Sequence, residues 1–406
     1  MRFSGFDDEW IEEKLGNLVQ IKSGECTKNL ITGIDNSIPY FKVEQLNNSL
    51  KYQIKTPYFI NDKSKIVNKG SIIFPKRGAA ILLNKIRILN QDSFMDTNLM
   101  TLTPNNKLYN EFLYYFIYKE NLSKIADTTS IPQLNNKHIK PYPIKLPSFE
   151  EQLKISKFIS SVDKKVSLLS QNLEIFNDFK KGLLQQIFTQ KLRFENYNEA
   201  IYKLSDLYSS KKGTGLSKDK LDEEGLNKCI LYGELYTTYN EIIQDVKSKT
   251  NSQEGILSKV GDILIPSSTT TKGIDLVTAS VILEENVLLS GDITILRSKN
   301  ENIINNKFFA YYFTNNLVKD VSKLTQGSTI IHLYWKDFKK VKLALPPINE
   351  QNKCVDLFLK LDKKIDLINF QIQKMEEFKK GLLQQMFVCW RNLMKKLMEF
   401  QIKLCK

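Results

Sequence analysis

The ten residues FKKGLLQQIF at Phe179–Phe188 recur as FKKGLLQQMF at Phe378–Phe387, 199 positions later. Extended backwards at this offset, Leu146–Phe188 matches Leu345–Phe387 without a gap, and 18 of the 43 positions are identical. Such self-similarity marks an internal duplication. Each copy carries apolar residues at alternating steps of four and three: Ile159, Val162, Val166, Leu169, Leu173 and Phe176 in the first, Phe358, Leu361, Ile365, Ile368, Ile372 and Met375 in the second. A sustained seam of this kind predicts two long helices that bury one another as a coiled coil. About forty residues make roughly 60 Å of helix. Lys180 and Lys379 interrupt both seams at the same place, where the helix should give way to a domain or a partner. Gly182 and Gly381 each cost a helix interior about 1 kcal/mol relative to Ala, so their repetition suggests a close backbone approach or a bend.

The duplication continues more weakly outside the helices. KLGNL at Lys14–Leu18 matches KLSDL at Lys203–Leu207, GSIIFP at Gly70–Pro75 matches GDILIP at Gly261–Pro266, and NEFLYYF at Asn110–Phe116 matches NKFFAYYF at Asn306–Phe313. Short β-rich runs alternate with turns and one aromatic helix per unit, an α+β pattern. The expected organisation is a globular unit at 1–145, a long helix at 146–190, a second unit at 191–344, a second helix at 345–387 and a tail at 388–406, read as an added helix or loose segment. Arg2-Phe3 matches Arg193-Phe194, which follows the first helix, so the chain start reads as the continuation of the second helix's end. This circular arrangement predicts two pseudo-symmetric α/β domains separated by an antiparallel coiled coil.

The formal net charge is +14 at pH 7, which favours a polyanionic partner. The excess lies in the globular parts: residues 1–145 hold twenty basic against fourteen acidic side chains, whereas the helices are close to neutral. No run of eighteen apolar residues is present and the chain start turns acidic at once, so a cytoplasmic protein without a membrane span is expected. Five cysteines without a CxxC pair, and only two histidines, argue against a zinc site or a disulfide framework. Phosphate-loop, zinc-protease and amino-methyltransferase signatures are missing, so no catalytic residues and no bound cofactor or metal are assigned. KKGTGLS at Lys211–Ser217 has one GxG but no third glycine or preceding apolar strand, and is read as a flexible loop.

Equivalent loops carry different polar residues. Lys76-Arg77-Gly78 follows IIFP, whereas Ser267 to Gly273 follows LIP; Thr129–Lys137 stands opposite Ser328–Lys336. Side chains of these kinds bond to phosphates and base edges. The candidate DNA contacts are Lys22, Lys42, Lys76, Arg77, Ser130, Gln133, Asn135 and Lys137 in the first unit. In the second they are Lys211, Lys212, Ser267, Thr269, Lys272, Gln326, Ser328, His332 and Lys336. His332 aligns with Gln133, which disfavours a shared catalytic role.

Variable units alternating with a repeated helix, together with LPSFEEQ/LPPINEQ, the DKK triplets and FKKGLLQQ, closely resemble the specificity subunit of type I restriction-modification systems. The resemblance implies that each globular unit is a target recognition domain for one half of a split DNA site. It implies that the helices set the spacer and dock two methyltransferase subunits, joined by two restriction and translocation subunits. S-adenosylmethionine, ATP and Mg²⁺ would then serve those partners, and this subunit would catalyse nothing. The alternative from the residues alone is a noncatalytic coiled-coil adaptor that joins protein partners.

Overall fold

The computed structural model describes residues 2–27, 30–32, 37–61, 66–127 and 131–387. The tail at 388–406 and Ser130 lie outside the described residues. Contacts divide the chain into two compact units, Met1–Ser170 with Phe370–Lys406, and Gln171–Asn369. The long helices span Phe149–Phe188 and Ile348–Met386, so each unit holds part of both. The ends of both helices thus contribute to the two cores.

The two units share one sheet topology. In the first, a five-stranded sheet runs Val19–Ser23, Leu99–Pro104, Ile72–Pro75, Arg87–Leu89, Tyr52–Gln53; in the second it runs Tyr208–Lys212, Ile293–Ser298, Ile263–Pro266, Ser280–Ile282, Ile242–Ile243. The central strands IIFP and ILIP are buried along their whole length, as continuous apolar β-branched runs require. The aromatic helices Asn110–Glu120 and Asn306–Asn316 fill the space between sheet and long helices. Residues before each long helix, Pro143–Leu146 and Lys342–Leu345, pair antiparallel with Ile11–Lys14 and Ala200–Lys203.

Within each unit the start of one long helix lies against the end of the other. In the first, Leu382, Leu383, Met386 and Phe387 enter the core that holds Ile155, Ile159 and Val162. In the second, Leu184, Ile187 and Phe188 enter the core that holds Cys354, Val355 and Phe358. The helices are therefore antiparallel. The terminal phenylalanines of the repeated decapeptide are anchors: Phe387 packs 4.9 Å from Phe112, and Phe188 5.2 Å from Tyr312, between ring centroids. None of the seam residues is exposed, but Ile159 and Phe358 face the aromatic helices as part of the globular cores.

The lysines that interrupt the seams have partners inside the protein. Lys379 Nζ lies 2.6 Å from Asp163 Oδ1, and Tyr115 donates its hydroxyl to Asp163 Oδ2 at 2.6 Å. In the other unit Lys180 Nζ lies 2.6 Å from Asp362 Oδ1, and Tyr311 donates to the same carboxylate. Burial, then the neighbouring carboxylate, pushes both tyrosine hydroxyls far up, so they stay protonated donors. The two repeated motifs, DKK and FKKGLLQQ, thus meet across the helix pair, and the lysines fix register. An apolar residue there would leave a half-buried aspartate without its cation.

The chain start behaves as the duplication suggests. Arg2 donates to both oxygens of Glu151, and Phe3 packs edge-on against Phe158, on the same core as Phe387. In the second unit the equivalent glutamate, Glu350, accepts from the backbone N–H of Phe194, while Arg193 turns to Gln190 and Tyr197.

Two sequence readings need correction. Ideal Cβ atoms at Gly182 and Gly381 meet nothing within 4 Å, and both helices run through them without a break, so no close approach within the chain explains them. Gly182→Ala and Gly381→Ala should each stabilise the isolated chain by about 1 kcal/mol, because the backbone is already helical and only the entropy of the unfolded state changes. Urea titrations test this, and an unchanged midpoint in both variants would refute it. The KKGTGLS segment is no flexible loop either. A Cβ on Gly213 would stand 1.9 Å from the Ser290 carbonyl, Gly213 N–H donates to Ile293 at 2.8 Å, and Leu216 is buried. Gly24 makes the equivalent approach to Asp96 in the first unit.

Candidate nucleic-acid interface

In each sheet the central strand ends in proline, Pro75 or Pro266, and the chain then crosses to a hairpin from near the unit's end. Asp127 and Gln133 exchange two backbone hydrogen bonds of 2.9 Å, closing the first hairpin. Gln326 and His332 close the second at 2.9 and 2.7 Å. These positions are equivalent at the 199-residue offset. Each hairpin then pairs with the segment after the central strand. Arg77 bridges Gln133 in the first unit, and Ser268 and Thr269 pair with His332 and Ile331 in the second. Leu134 N–H donates to the Lys76 carbonyl at 2.9 Å and Leu333 N–H to the Ser267 carbonyl at 3.0 Å, and both leucines are buried anchors. The two variable loops of each unit, far apart in sequence, therefore form one continuous edge.

In the second unit this edge is concave. A cavity of about 380 Å³ is lined by Ser210, Lys211, Lys212, Ser267, Thr294, Tyr334, Trp335 and Lys336. Lys211 and Lys212 come from the end of the sheet's outer strand, and Lys336 from the helical turn Trp335–Phe338. His332 stacks on Tyr334, with ring centroids 5.4 Å apart and planes inclined by 10°, and Lys336 Nζ lies 5.5 Å from the Tyr334 centroid. Asp292 is the counter-charge to Lys212, at 3.5 Å. Three ammonium groups beside aromatic faces and hydroxyls suit a phosphate with its attached sugar or base.

Four of the sequence candidates, Lys211, Lys212, Ser267 and Lys336, thus share one cavity. Its aromatic walls, Tyr334 and Trp335, lie in the same variable Ser328–Lys336 segment, but selection by polar residue type does not reach them. Gln326 and Ser328 are exposed on the hairpin, and Lys272 is exposed beside it. Thr269 is a correction: it is buried, and its hydroxyl is bonded to Thr271 within the loop. Ser267 is also buried, with its hydroxyl 2.8 Å from that of Thr294, so it shapes the cavity floor.

The first unit presents a different chemistry on the same frame. Arg77 is exposed at the edge, and Lys76 is partly buried beside it. Burial, then the Arg77 charge, pulls the Lys76 ammonium below its ordinary range, a penalty that a bound phosphate would relieve. Gln133 and Asn135 are linked by a 3.3 Å side-chain hydrogen bond, and Lys137 is exposed on the turn that follows. Two lysines are engaged elsewhere: Lys22 donates to the Ile66 carbonyl at 2.9 Å, and Lys42 lies 3.8 Å over the Tyr58 ring.

Residues 7–175 and 197–377 both match the type I restriction modification DNA specificity domain. The chain belongs to that family, with one copy of the domain in each half. The putative type I restriction enzyme MjaX specificity subunit of Methanocaldococcus jannaschii is 23% identical, over 93% of this chain and 92% of the relative. The MjaVIII specificity subunit of the same organism is 21% identical, over 93% and 91%. The crystal structure of a type I restriction-modification S subunit from M. genitalium has the same fold, with a TM-score of 0.60 at 18% identity over 95% of this chain and 98% of that one.

Proposed function

We propose that this protein is the DNA-reading, noncatalytic subunit of a type I restriction-modification complex, with each unit reading one half of a bipartite target. One observation carries the reading: equivalent sheet edges bear paired loops whose scaffold is duplicated and whose side chains differ, exposed Arg77 beside partly buried Gln133 in one unit, partly buried His332 and exposed Lys336 in the other. Two copies of one reader with unlike side chains suit an asymmetric split sequence. Positive charge around the second unit's cavity supplies salt-dependent affinity for phosphates.

The long helices offer the docking surface. Phe179 is 56% exposed and Phe378, its equivalent, 49%, and each is followed three residues later by a glycine with open space beside it. Residues three apart share a helix face. Two equivalent apolar faces suit two copies of the same partner, the methyltransferase subunits, with restriction and translocation subunits completing the complex. S-adenosylmethionine, ATP and Mg²⁺ belong to those partners. Cytoplasmic residence follows from this role; among the described residues no helix is long and apolar enough to cross a membrane.

The test is to map methylated adenines made by the complex containing this chain, then repeat with Arg77→Ala. Loss of one bidentate side chain should reduce discrimination at one position of one half-site about 10- to 100-fold and leave the other half unchanged. Equal weakening on unrelated duplexes would make Arg77 a phosphate contact. Sequence-indifferent binding by the unaltered complex would instead favour the adaptor reading.

A further inference from the structure

Each recognition hairpin presents one apolar side chain that its own fold does not cover. Ile131 is 67% exposed and Ile330 50% exposed, and the two are equivalent at the 199-residue offset. Both stand inside hairpins closed by Asp127–Gln133 and Gln326–His332, whose sequences are DTTSIPQ and QGSTIIH. A single exposed isoleucine means little. The same residue exposed at the same position of two otherwise divergent loops is different, since their polar neighbours have been exchanged around it.

The second hairpin also has a defined turn. Gly327 has φ of +114°, and a Cβ there would stand 2.1 Å from the Ile330 carbonyl. Any other residue would push that carbonyl away, so the tip is built to hold Ile330 where it is. Behind it, Leu333 is buried and tied to Ser267, which gives the exposed tip a rigid base.

Resting on the reading of these edges as DNA interfaces, we propose that Ile131 and Ile330 are specificity-determining residues, each reading the C5-methyl group of a thymine in its own half-site. That methyl is the apolar group on the major-groove base edges, and an aliphatic side chain is its complement. It is lost when uracil replaces thymine, with every Watson–Crick hydrogen bond retained.

The experiment uses the assembled complex and the duplex target defined by its own methylation pattern. Each thymine is replaced singly by deoxyuridine and binding is measured. One position in each half-site should lose about tenfold in affinity. Ile330→Ala should abolish the thymine–uracil difference in one half-site and Ile131→Ala in the other, each leaving the opposite half sensitive. Ile330→Val and Ile131→Val, which keep a branched apolar group, should retain part of the difference and serve as folding controls. Equal tolerance of deoxyuridine at every position, or undiminished discrimination by both alanine variants, would overturn the inference while the DNA-reading function stood. A complex with no sequence preference at all would remove the underlying reading first.

Discussion

Gln351→Leu is expected to destabilise the protein by about 3 kcal/mol, and Gln152→Leu by a similar amount, since each leaves several buried backbone groups without partners. Gln351 is fully buried. Its carbonyl accepts from Asn305 N–H at 2.9 Å, and its amide donates to the Ile303 and Pro346 carbonyls, both at 2.9 Å. Gln152 repeats the pattern, accepting from Tyr109 N–H at 2.8 Å and donating to Lys107 and Pro147 at 3.0 and 3.1 Å. One side chain thus joins the start of a long helix, the turn before it and the start of the aromatic helix. Leucine has a similar volume and none of these bonds. Urea or thermal unfolding measures the loss, and a change below about 1 kcal/mol in both variants would show that these groups find other partners. Glutamate is an informative second substitution: ionised, it would set a buried charge against two carbonyl oxygens, and protonated it could donate to only one of them, so it should not restore the stability of glutamine.

Phe179→Asp together with Phe378→Asp is expected to leave the isolated chain folded and to prevent assembly. Both rings are largely exposed, and exposed substitutions away from special features usually change stability by no more than about 0.5 kcal/mol. A central aromatic anchor lost from an interface costs about 2 to 4 kcal/mol, roughly 30- to 1,000-fold in affinity per site. The single variants should each retain one methyltransferase subunit and the double variant none, as read by light scattering of copurified complexes. Full assembly by the double variant would place the docking surface elsewhere. Gly182→Ala and Gly381→Ala separate two roles, because they should strengthen the free helices and weaken docking if a partner approaches the bare backbone there.

Much of the fold was legible because the chain states it twice. The offset of 199 exposed the duplication, the apolar spacing marked the long helices, and the match of Arg2-Phe3 to Arg193-Phe194 implied antiparallel packing. Repetition works as a filter: residues that recur while their neighbours drift are held by common structural demands. Lys180 and Lys379 show the limit of such reading. Their recurrence was plain, but a charged side chain in a seam looks the same in sequence whether it faces a partner protein or an internal aspartate. Asp163 lies 216 positions from Lys379 and Asp362 lies 182 from Lys180, so only antiparallel packing brings each pair within 2.6 Å.

The candidate interface divides in the same way. Polar residue type and loop position picked out Lys211, Lys212, Ser267 and Lys336, which line one cavity. Type and position also selected Thr269, whose hydroxyl bonds inside its own loop, and missed Tyr334 and Trp335. Phe179 and Phe378 stand outside the seams in sequence, but only the fold shows that nothing else in the described chain covers them.

By itself the sequence determined the two-fold repetition, the long helices and the positions where the copies diverge, because local periodicity and self-similarity survive without knowledge of distant contacts. The tertiary structure alone decided that each unit's variable loops join into one edge, that the seam lysines meet aspartates, and that Ile131 and Ile330 face outward. These depend on backbone pairing and burial between segments far apart in the chain, where the same side chain can be core, ion-pair partner or free surface according to what folds against it.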